Sequence, residues 1–177
     1  INVGYQRLVS FEVKGGGFSW FGNAPAHKVL TAYGLLEFHD MSRVHEVDPN
    51  LITRTQNWLV GLQQKDGSWE PDKGGIAEGI INRQTDTLRV TAYITWALAE
   101  SGYRGAALDR AFAYLDAHWR KAKDPYALAV LANAYLTSGR KGDTTGQVVN
   151  ALAKAATVEK EIAYWRTDGP TFTSAQD

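Results

Sequence analysis

The chain has 177 residues, which is enough for one domain with a substantial core. Its 19 Lys and Arg residues balance its 19 Asp and Glu residues, and this zero net charge argues against a surface dedicated to nucleic acid or to an anionic membrane. Because no apolar run reaches ~20 residues, no membrane insertion is expected, and the lack of cysteine excludes disulfides, thiolate metal sites and cysteine nucleophiles within the chain.

The first part of the sequence predicts two helices separated by an aromatic turn. Residues 2–12 favour a one-sided helix that ends at the glycines 15–17. Its apolar positions are Val3, Leu8, Val9 and Phe11. After the turn at 17–22, residues 28–39 are apolar on nearly every side, which is typical of a helix buried all round. We therefore expect an outer helix followed by an inner one.

A second helix pair follows, with a clear start signal. Asp48 can cap a helix, and Pro49 suits its first position. The positions expected to face inward are Leu51, Ile52, Thr55, Trp58, Leu59 and Leu62. This helix runs into the stretch 58–69, where an Asp-Gly turn precedes Trp69. Residues 70–84 are rich in glycine and lack periodicity, and connections of this length are often functional.

The rest of the chain continues the alternation of inner and outer helices. Further helices are predicted at 87–101 behind the cap Asp86 (inner), at 107–121 (outer), from Asp124-Pro125 to Gly139 (inner) and at 144–156 (outer). The Thr-Ala-Tyr sequence at 91–93 repeats that at 31–33, and such self-similarity is typical of repeat architectures. A last aromatic turn at 164–169 precedes the expected start of another inner helix at 171–177.

These patterns predict an all-α protein, specifically an α/α toroid of helical hairpins, and an incomplete one. Residues 1–177 are interpreted as a single domain. The aromatic residues Trp20, Trp69 and Trp165 fall in the glycine-containing turns between helices, where their expected role is architectural, as plugs of the core.

Several short motifs occur along the chain in one order and together resemble the thioester domain of the alpha-2-macroglobulin and complement family. They are Gly4–Leu8 with Ser10 and Phe11, Gly17–Ser19, Leu30–Tyr33, Val47–Asn50, Trp58–Leu59, Gln63–Trp69, Asp86–Ala99 and Ser174–Asp177. The resemblance covers nearly the whole chain. It implies a non-enzymatic protein that traps proteases or attaches to targets through an internal thioester between a Cys and a Gln.

The chain departs from that family pattern at the reactive groups. Since it has no cysteine, the thioester is expected outside this chain, before residue 1, unless the parent is a relative without a thioester. The family histidine that carries the acyl group to hydroxyl targets aligns with Ala77, followed by Glu78, and no histidine lies from Ser68 to Ala117. The resemblance therefore implies direct reaction with amines rather than transfer to hydroxyl groups.

Other chemistries find less support in the residues. The stretch 58–69 also fits the Gln-Trp repeat of triterpene cyclases, which share the toroid, but neither their Asp-x-Asp-Asp motif nor a diphosphate-binding Asp-Asp-x-x-Asp is present. A toroidal glycosidase needs two carboxylates flanking a sugar, with Trp20 and Trp69 available for stacking. The candidate carboxylates are Glu37, Asp40, Glu70, Asp72, Glu78 and Asp86, and no pair among them is singled out.

A metal site is also disfavoured. Glu37, His39, Asp40 and His45 could approach one another near a helix end, but a zinc site would need a third convergent ligand and an open position. We therefore expect no cofactor and no metal.

The reading that follows is a non-enzymatic, extracytoplasmic domain, secreted or periplasmic. Its partners would be target proteases or other proteins, together with the other domains of its parent chain. A toroid enzyme with catalytic groups outside this chain and a pure interaction scaffold remain alternatives. Because a toroid that lacks helices exposes apolar faces, the isolated chain is expected to form homodimers.

Overall fold

Helices account for most of the computed structural model, which describes residues 2–72 and 86–166. Within these residues the helices are α1 (Asn2–Val9), α2 (Lys28–Ser42), α3 (Pro49–Gly61), α4 (Thr87–Glu100), α5 (Ala106–His118), α6 (Pro125–Thr137) and α7 (Asp143–Lys154). A 3₁₀ turn, Trp119–Lys121, follows α5. Two antiparallel hairpins complete the fold, β1 (Glu12–Val13) with β2 (Gly17–Phe18) and β3 (Thr157–Glu159) with β4 (Ile162–Tyr164).

The helices form two layers in an arc. The inner layer has α4 at its centre, packed against α2 on one side and α6 on the other. The outer helices α3, α5 and α7 pack against α2, α4 and α6, so that each hairpin contributes one helix to each layer. This arrangement is an α/α toroid of helical hairpins, which confirms the predicted fold class. The assignment of 1–177 to a single domain stays a prediction.

The predicted helix starts are confirmed by their caps. The carboxylates of Asp48, Asp86 and Asp124 accept hydrogen bonds from backbone N–H groups in the first turns of α3, α4 and α6, at 2.9, 2.8 and 3.0 Å. Each bond satisfies one of the donors that a helix leaves free at its N-terminus. These caps fix where three of the helices begin.

The inner helices α2 and α4, which share the Thr-Ala-Tyr sequence, differ in how much of their surface is buried. Helix α4 is buried all round, as predicted, since ten of its 14 residues are buried. Helix α2 buries only Thr31, Ala32, Leu35 and Phe38, and Tyr33 is 47% exposed. The expectation of burial on every side is therefore wrong for α2. The physical reason is that α4 lies between two inner helices, whereas α2 has α4 alone as a described inner neighbour.

Helix α1 and the segment after it differ from the prediction. The helix ends at Val9, and residues 12–18 form the β1–β2 hairpin instead of a simple glycine break. Only Tyr5 is buried in α1, while the predicted inward residue Val3 is 85% exposed. Tyr5 lies inward because its ring packs edge-on against Phe38 and its hydroxyl accepts a hydrogen bond from the backbone N–H of Asp48.

Among the residues predicted to face inward from the later outer helices, some are buried and others are exposed. The apolar spacing of residues 107–121 predicts inward positions that are all buried in α5 and the 3₁₀ turn, namely Leu108, Ala111, Phe112, Leu115 and Trp119. In residues 144–156 the spacing predicts Val148, Val149, Leu152 and Ala155, of which Val148 is buried. The predicted inward residues that are instead exposed are Leu62, Val149 and Ala155. Leu62 and Ala155 directly follow the last residues of α3 and α7, and Val149 lies within α7 beside the buried Val148. No helix within the described ranges is both long enough and apolar enough to cross a membrane.

Candidate functional site

The turn that ends at Trp69 is held by five hydrogen bonds. The Asp66 carboxylate accepts from the backbone N–H and the hydroxyl of Ser68, at 3.0 and 2.7 Å. The Gln63 amide donates to the carbonyl oxygens of Gly67 and Ala107, at 3.0 and 2.8 Å. The indole N–H of Trp69 donates to the carbonyl of Leu59 at 2.7 Å, and the side chain is fully buried. The polar side chains of Gln63, Asp66 and Ser68 and the indole N–H of Trp69 are therefore used in structure.

In this turn and in the first aromatic turn, a threonine of the inner helix that follows accepts a hydrogen bond from the backbone of the turn. The backbone N–H of Trp69 donates to the Thr91 hydroxyl at 3.0 Å, and that of Phe18 donates to the Thr31 hydroxyl at 2.8 Å. Thr31 and Thr91 begin the two Thr-Ala-Tyr repeats. The repeat in the sequence therefore marks a repeated contact, although the sequence alone did not reveal that the threonine hydroxyl makes it.

The three turn tryptophans consequently lie in different environments. Trp69 is in the core, but the buried aromatic at the matching position of the first turn is Phe18, and Trp20 is 43% exposed. Trp165 is 47% exposed, yet its indole N–H donates to the carbonyl of Leu152 at 2.7 Å. The architectural contact that we expected of all three is made by Phe18 in the first turn.

The N-terminal ends of the inner helices carry the carboxylates nearest to the glycine-rich connection. Asp72 accepts a hydrogen bond from the backbone N–H of Lys28 at 2.8 Å and also pairs with the Lys28 ammonium group. It thereby caps α2, whose preceding residue His27 makes no side-chain cap. The nearest His27 and Asp72 side-chain atoms, Nδ1 and Oδ2, are 3.9 Å apart. Sequence reasoning did not assign Asp72 this role, because the contact joins residues that are 44 positions apart.

Asp72 and Asp86 thus flank residues 73–85 and each caps an inner helix, α2 and α4. The Arg89 guanidinium joins α4 to the cap of the third inner helix through an ion pair with Asp124. Ala77 and Glu78, the positions that align with the acyl-transfer site of the family, lie outside the described residues. The candidate functional site is therefore this end of the inner helices, where the connection enters and leaves.

Two buried tyrosines have raised pKa values. Burial raises the pKa of Tyr93 on α4. The pKa of Tyr135 is also raised, first by burial and then by its hydrogen bond to Asp116, which joins α6 to α5 at 2.8 Å. Both hydroxyls stay protonated at neutral pH, and that of Tyr135 donates to Asp116. Of the glycosidase candidates, Asp72 and Asp86 are occupied as helix caps.

The histidines on α2 and after it are engaged in local contacts. The Nε2 atom of His39 lies 3.1 Å from the Arg43 guanidinium, and the His45 ring packs edge-on against Tyr5. Among the described residues, no group of three or more His, Asp or Glu side chains is placed to hold a metal ion.

Comparison with known proteins places the chain beside one family. Residues 1–176 match the family described as the A-macroglobulin TED domain. The chain is also 28% identical over 167 residues to ovostatin from Gallus gallus, an alignment that covers 92% of this chain and 11% of that relative. The chain therefore spans about a tenth of the length of this relative.

Proposed function

Since this chain belongs to the A-macroglobulin TED domain family, we propose that it is a non-enzymatic part of an alpha-2-macroglobulin-like protein that traps proteases or attaches covalently to targets. The observation that carries the proposal is a match that extends over residues 1–176 while the chain has no cysteine. The cysteine and the reactive bond would then be supplied by other residues of the parent protein, and this chain would supply the scaffold around them.

The reaction would be one acyl transfer. The nitrogen of a target amine attacks the carbonyl carbon of the thioester, the carbon–sulfur bond breaks, and an amide forms. The cysteine sulfur leaves as a thiolate and takes up the proton that the amine loses. Before activation, exclusion of water would keep the thioester from hydrolysis.

We further propose that amines react directly. No histidine lies between Ser68 and Ala117, and the residues that align with the acyl-carrying histidine are Ala77 and Glu78. An unprotonated amine is a sufficient nucleophile, whereas a hydroxyl group needs a base or an acyl-imidazole intermediate. The closest substitute that the described residues offer at this end of the inner helices is His27, beside Asp72.

The test uses the full-length parent protein, treated with methylamine or with glycerol and analysed by mass spectrometry. We expect one methylamine adduct for each chain, a newly titratable thiol, and little glycerol adduct. The matched variant His27→Gln should leave the ratio of methylamine to glycerol adduct unchanged. If the parent gains no methylamine mass and retains no protease after proteolytic activation, the proposal is wrong.

The location and the contacts of the domain follow from the same proposal. We propose that the parent is extracytoplasmic, secreted or periplasmic, and that other domains of the parent cover the exposed apolar side chains at the two edges of the inner layer. Tyr33 on α2 and Leu136 on α6, 58% exposed, are examples. Without those domains the isolated chain should form homodimers, which light scattering across a range of concentrations would detect.

A further inference from the structure

A narrow cleft lies between α1, the end of the β1–β2 hairpin and the outer face of α2. Its volume is about 190 Å³. The apolar residues that line it include Leu8, Phe11, Phe18, Trp20, Leu30 and Tyr33. Trp20 and Tyr33 are each nearly half exposed although they line a concave surface. Two accessible aromatic side chains in a cleft are a common feature of binding sites.

The cleft contains one charged residue, Glu37. Within the described ranges this carboxylate forms no ion pair, because Lys28 at the start of α2 pairs with Asp72, and Arg43 just after α2 pairs with Asp40 and Glu100. Glu37 raises the pKa of the neighbouring Tyr33 hydroxyl, chiefly through side-chain hydrogen bonding. An unpaired carboxylate beside two aromatic rings is complementary to a cation, because the ring faces and the carboxylate all attract positive charge.

A second polar group in the wall also lacks a partner. Ser19 lines the cleft and is 5% exposed, and its Oγ atom makes no hydrogen bond within the described residues. Buried hydroxyl groups are nearly always hydrogen-bonded in native proteins, because leaving one unsatisfied is costly. The oxygen atom is closed off from the open cleft, so the recognition of an occupant depends on the other lining residues.

The size and the surroundings of the cleft indicate the kind of occupant. A volume of about 190 Å³ is below the ~300 Å³ of the smallest usual small-molecule pockets and is suited to one amino-acid side chain. The cleft shares Leu8 and Phe11 with an open trough of about 520 Å³, which is also lined by Met41 and Val44 and is apolar apart from Arg7. A cleft that continues into an apolar trough fits an extended peptide segment better than an isolated ion.

We propose that the cleft binds a Lys or Arg side chain of a partner polypeptide, with its apolar stem between Trp20 and Tyr33 and its charged group at Glu37. Apolar residues next to the Lys or Arg lie in the trough formed by Leu8, Phe11, Met41 and Val44. The residues that line this cleft do not include the capping residues Asp72, Asp86 and Asp124 of the candidate functional site.

The test is a titration of the 177-residue chain with acetyl-Leu-Leu-Lys-Gly-amide, followed by NMR at the Trp20 indole N–H. The matched probes replace the lysine with norleucine, which keeps the stem and removes the charge, or with glutamate. We expect saturable binding of the lysine peptide that is about five- to tenfold tighter than that of the norleucine peptide, and the weakest binding for glutamate. The lysine preference should disappear in Glu37→Gln.

Two variants control for indirect effects. Glu161→Gln makes the same charge change in the exposed β3–β4 turn and should leave the lysine preference intact. Trp20→Ala should weaken the lysine and norleucine peptides alike, with an unchanged far-ultraviolet circular dichroism spectrum. Equal affinity for the lysine and norleucine peptides, a lysine preference that survives in Glu37→Gln, or no saturable binding at millimolar peptide would each overturn the proposal.

Discussion

The turns that end at Trp69 and at Trp165 make the same local contact in different surroundings. In each, the indole N–H donates at 2.7 Å to a carbonyl near the end of the preceding outer helix, that of Leu59 or that of Leu152. Yet Trp69 is fully buried and Trp165 is 47% exposed. The local sequence therefore determines the hydrogen bond, and the neighbouring layer determines the burial.

Helix α4 is what distinguishes the first of these turns. The hydroxyl of Thr91 on α4 accepts a hydrogen bond from the backbone N–H of Trp69, and apolar side chains of α4 pack in the same core cluster as Trp69. At Trp165 the described residues end one position later. The same tryptophan-to-carbonyl bond can thus serve as a core anchor or as an edge contact, and the stability of variants should separate the two.

The largest difference is expected from removing the two indoles. Trp69→Ala should lower the free energy of unfolding by about 3–5 kcal/mol, because it leaves a cavity among buried side chains. Trp165→Ala should lower it by about 1 kcal/mol, mainly through the lost hydrogen bond. Urea unfolding followed by circular dichroism measures both. Similar losses in the two variants would contradict the assignment of Trp69 as the anchor.

Alanine substitutions at two glycines with positive φ would distinguish the cost of backbone strain from the cost of steric overlap. Gly67 has φ +91° and a Cβ there would overlap the backbone carbonyl of Arg110, whereas Gly139 has φ +72° and open space around it. Gly139→Ala should cost about 1–2 kcal/mol of left-handed strain alone. Gly67→Ala should cost about 3 kcal/mol, because the turn must also move away from α5. Thermal unfolding compares the two, and equal costs would show that the turn moves freely.

Removing a threonine hydroxyl should give effects of opposite direction at two buried sites. Thr91→Val leaves the backbone N–H of Trp69 without its partner and should cost about 1–3 kcal/mol. Thr55 is buried too, but its hydroxyl has no hydrogen-bond partner in the described ranges, so Thr55→Val should be neutral or stabilising. Destabilisation by Thr55→Val similar to that by Thr91→Val would argue that the Thr91 contact has no special role.

The smallest effect concerns pH at the Trp69 turn. Hydrogen bonds from the Ser68 hydroxyl and backbone hold the pKa of Asp66 below its usual range. A folded-state pKa that is lower than the unfolded one contributes stability above the unfolded value, and this contribution is lost as the pH falls through the folded value. When the free energy of unfolding is measured as a function of pH, it should therefore fall less steeply below about pH 4 in Asp66→Asn than in the unsubstituted protein. If the free energy of unfolding falls below about pH 4 equally in both proteins, this role for Asp66 is excluded.

Much of the fold could be predicted because its signals are local. The caps Asp48 and Asp86 and the helix start at Asp124-Pro125 could be predicted, since each of the three carboxylates bonds to a residue two or three positions away. The interpretation of the stretch 58–69 as architecture rather than chemistry stays a prediction, and the contacts that Gln63 and Trp69 make within the turn and the core are those it calls for.

What could not be predicted depends on contacts between distant residues. The exposed face of α2 follows from having one described inner neighbour, which the sequence of α2 does not encode. The cap that Asp72 provides for α2 joins residues 44 positions apart. The choice of Phe18 over Trp20 as the buried aromatic depends on the register of the β1–β2 hairpin, in which Phe18 pairs with Glu12, and a hairpin this short has little sequence signal.

The bonds from Phe18 to Thr31 and from Trp69 to Thr91 also bear on how the chain folds. They join residues only 13 and 22 positions apart: the first ties the turn before α2 to α2, and the second ties the turn after α3 to α4, the next inner helix. Proteins dominated by such short-range contacts fold rapidly, because little chain entropy is lost before a contact forms. Each unit can therefore assemble early and add to its neighbour, in the manner of a repeat protein that grows one module at a time.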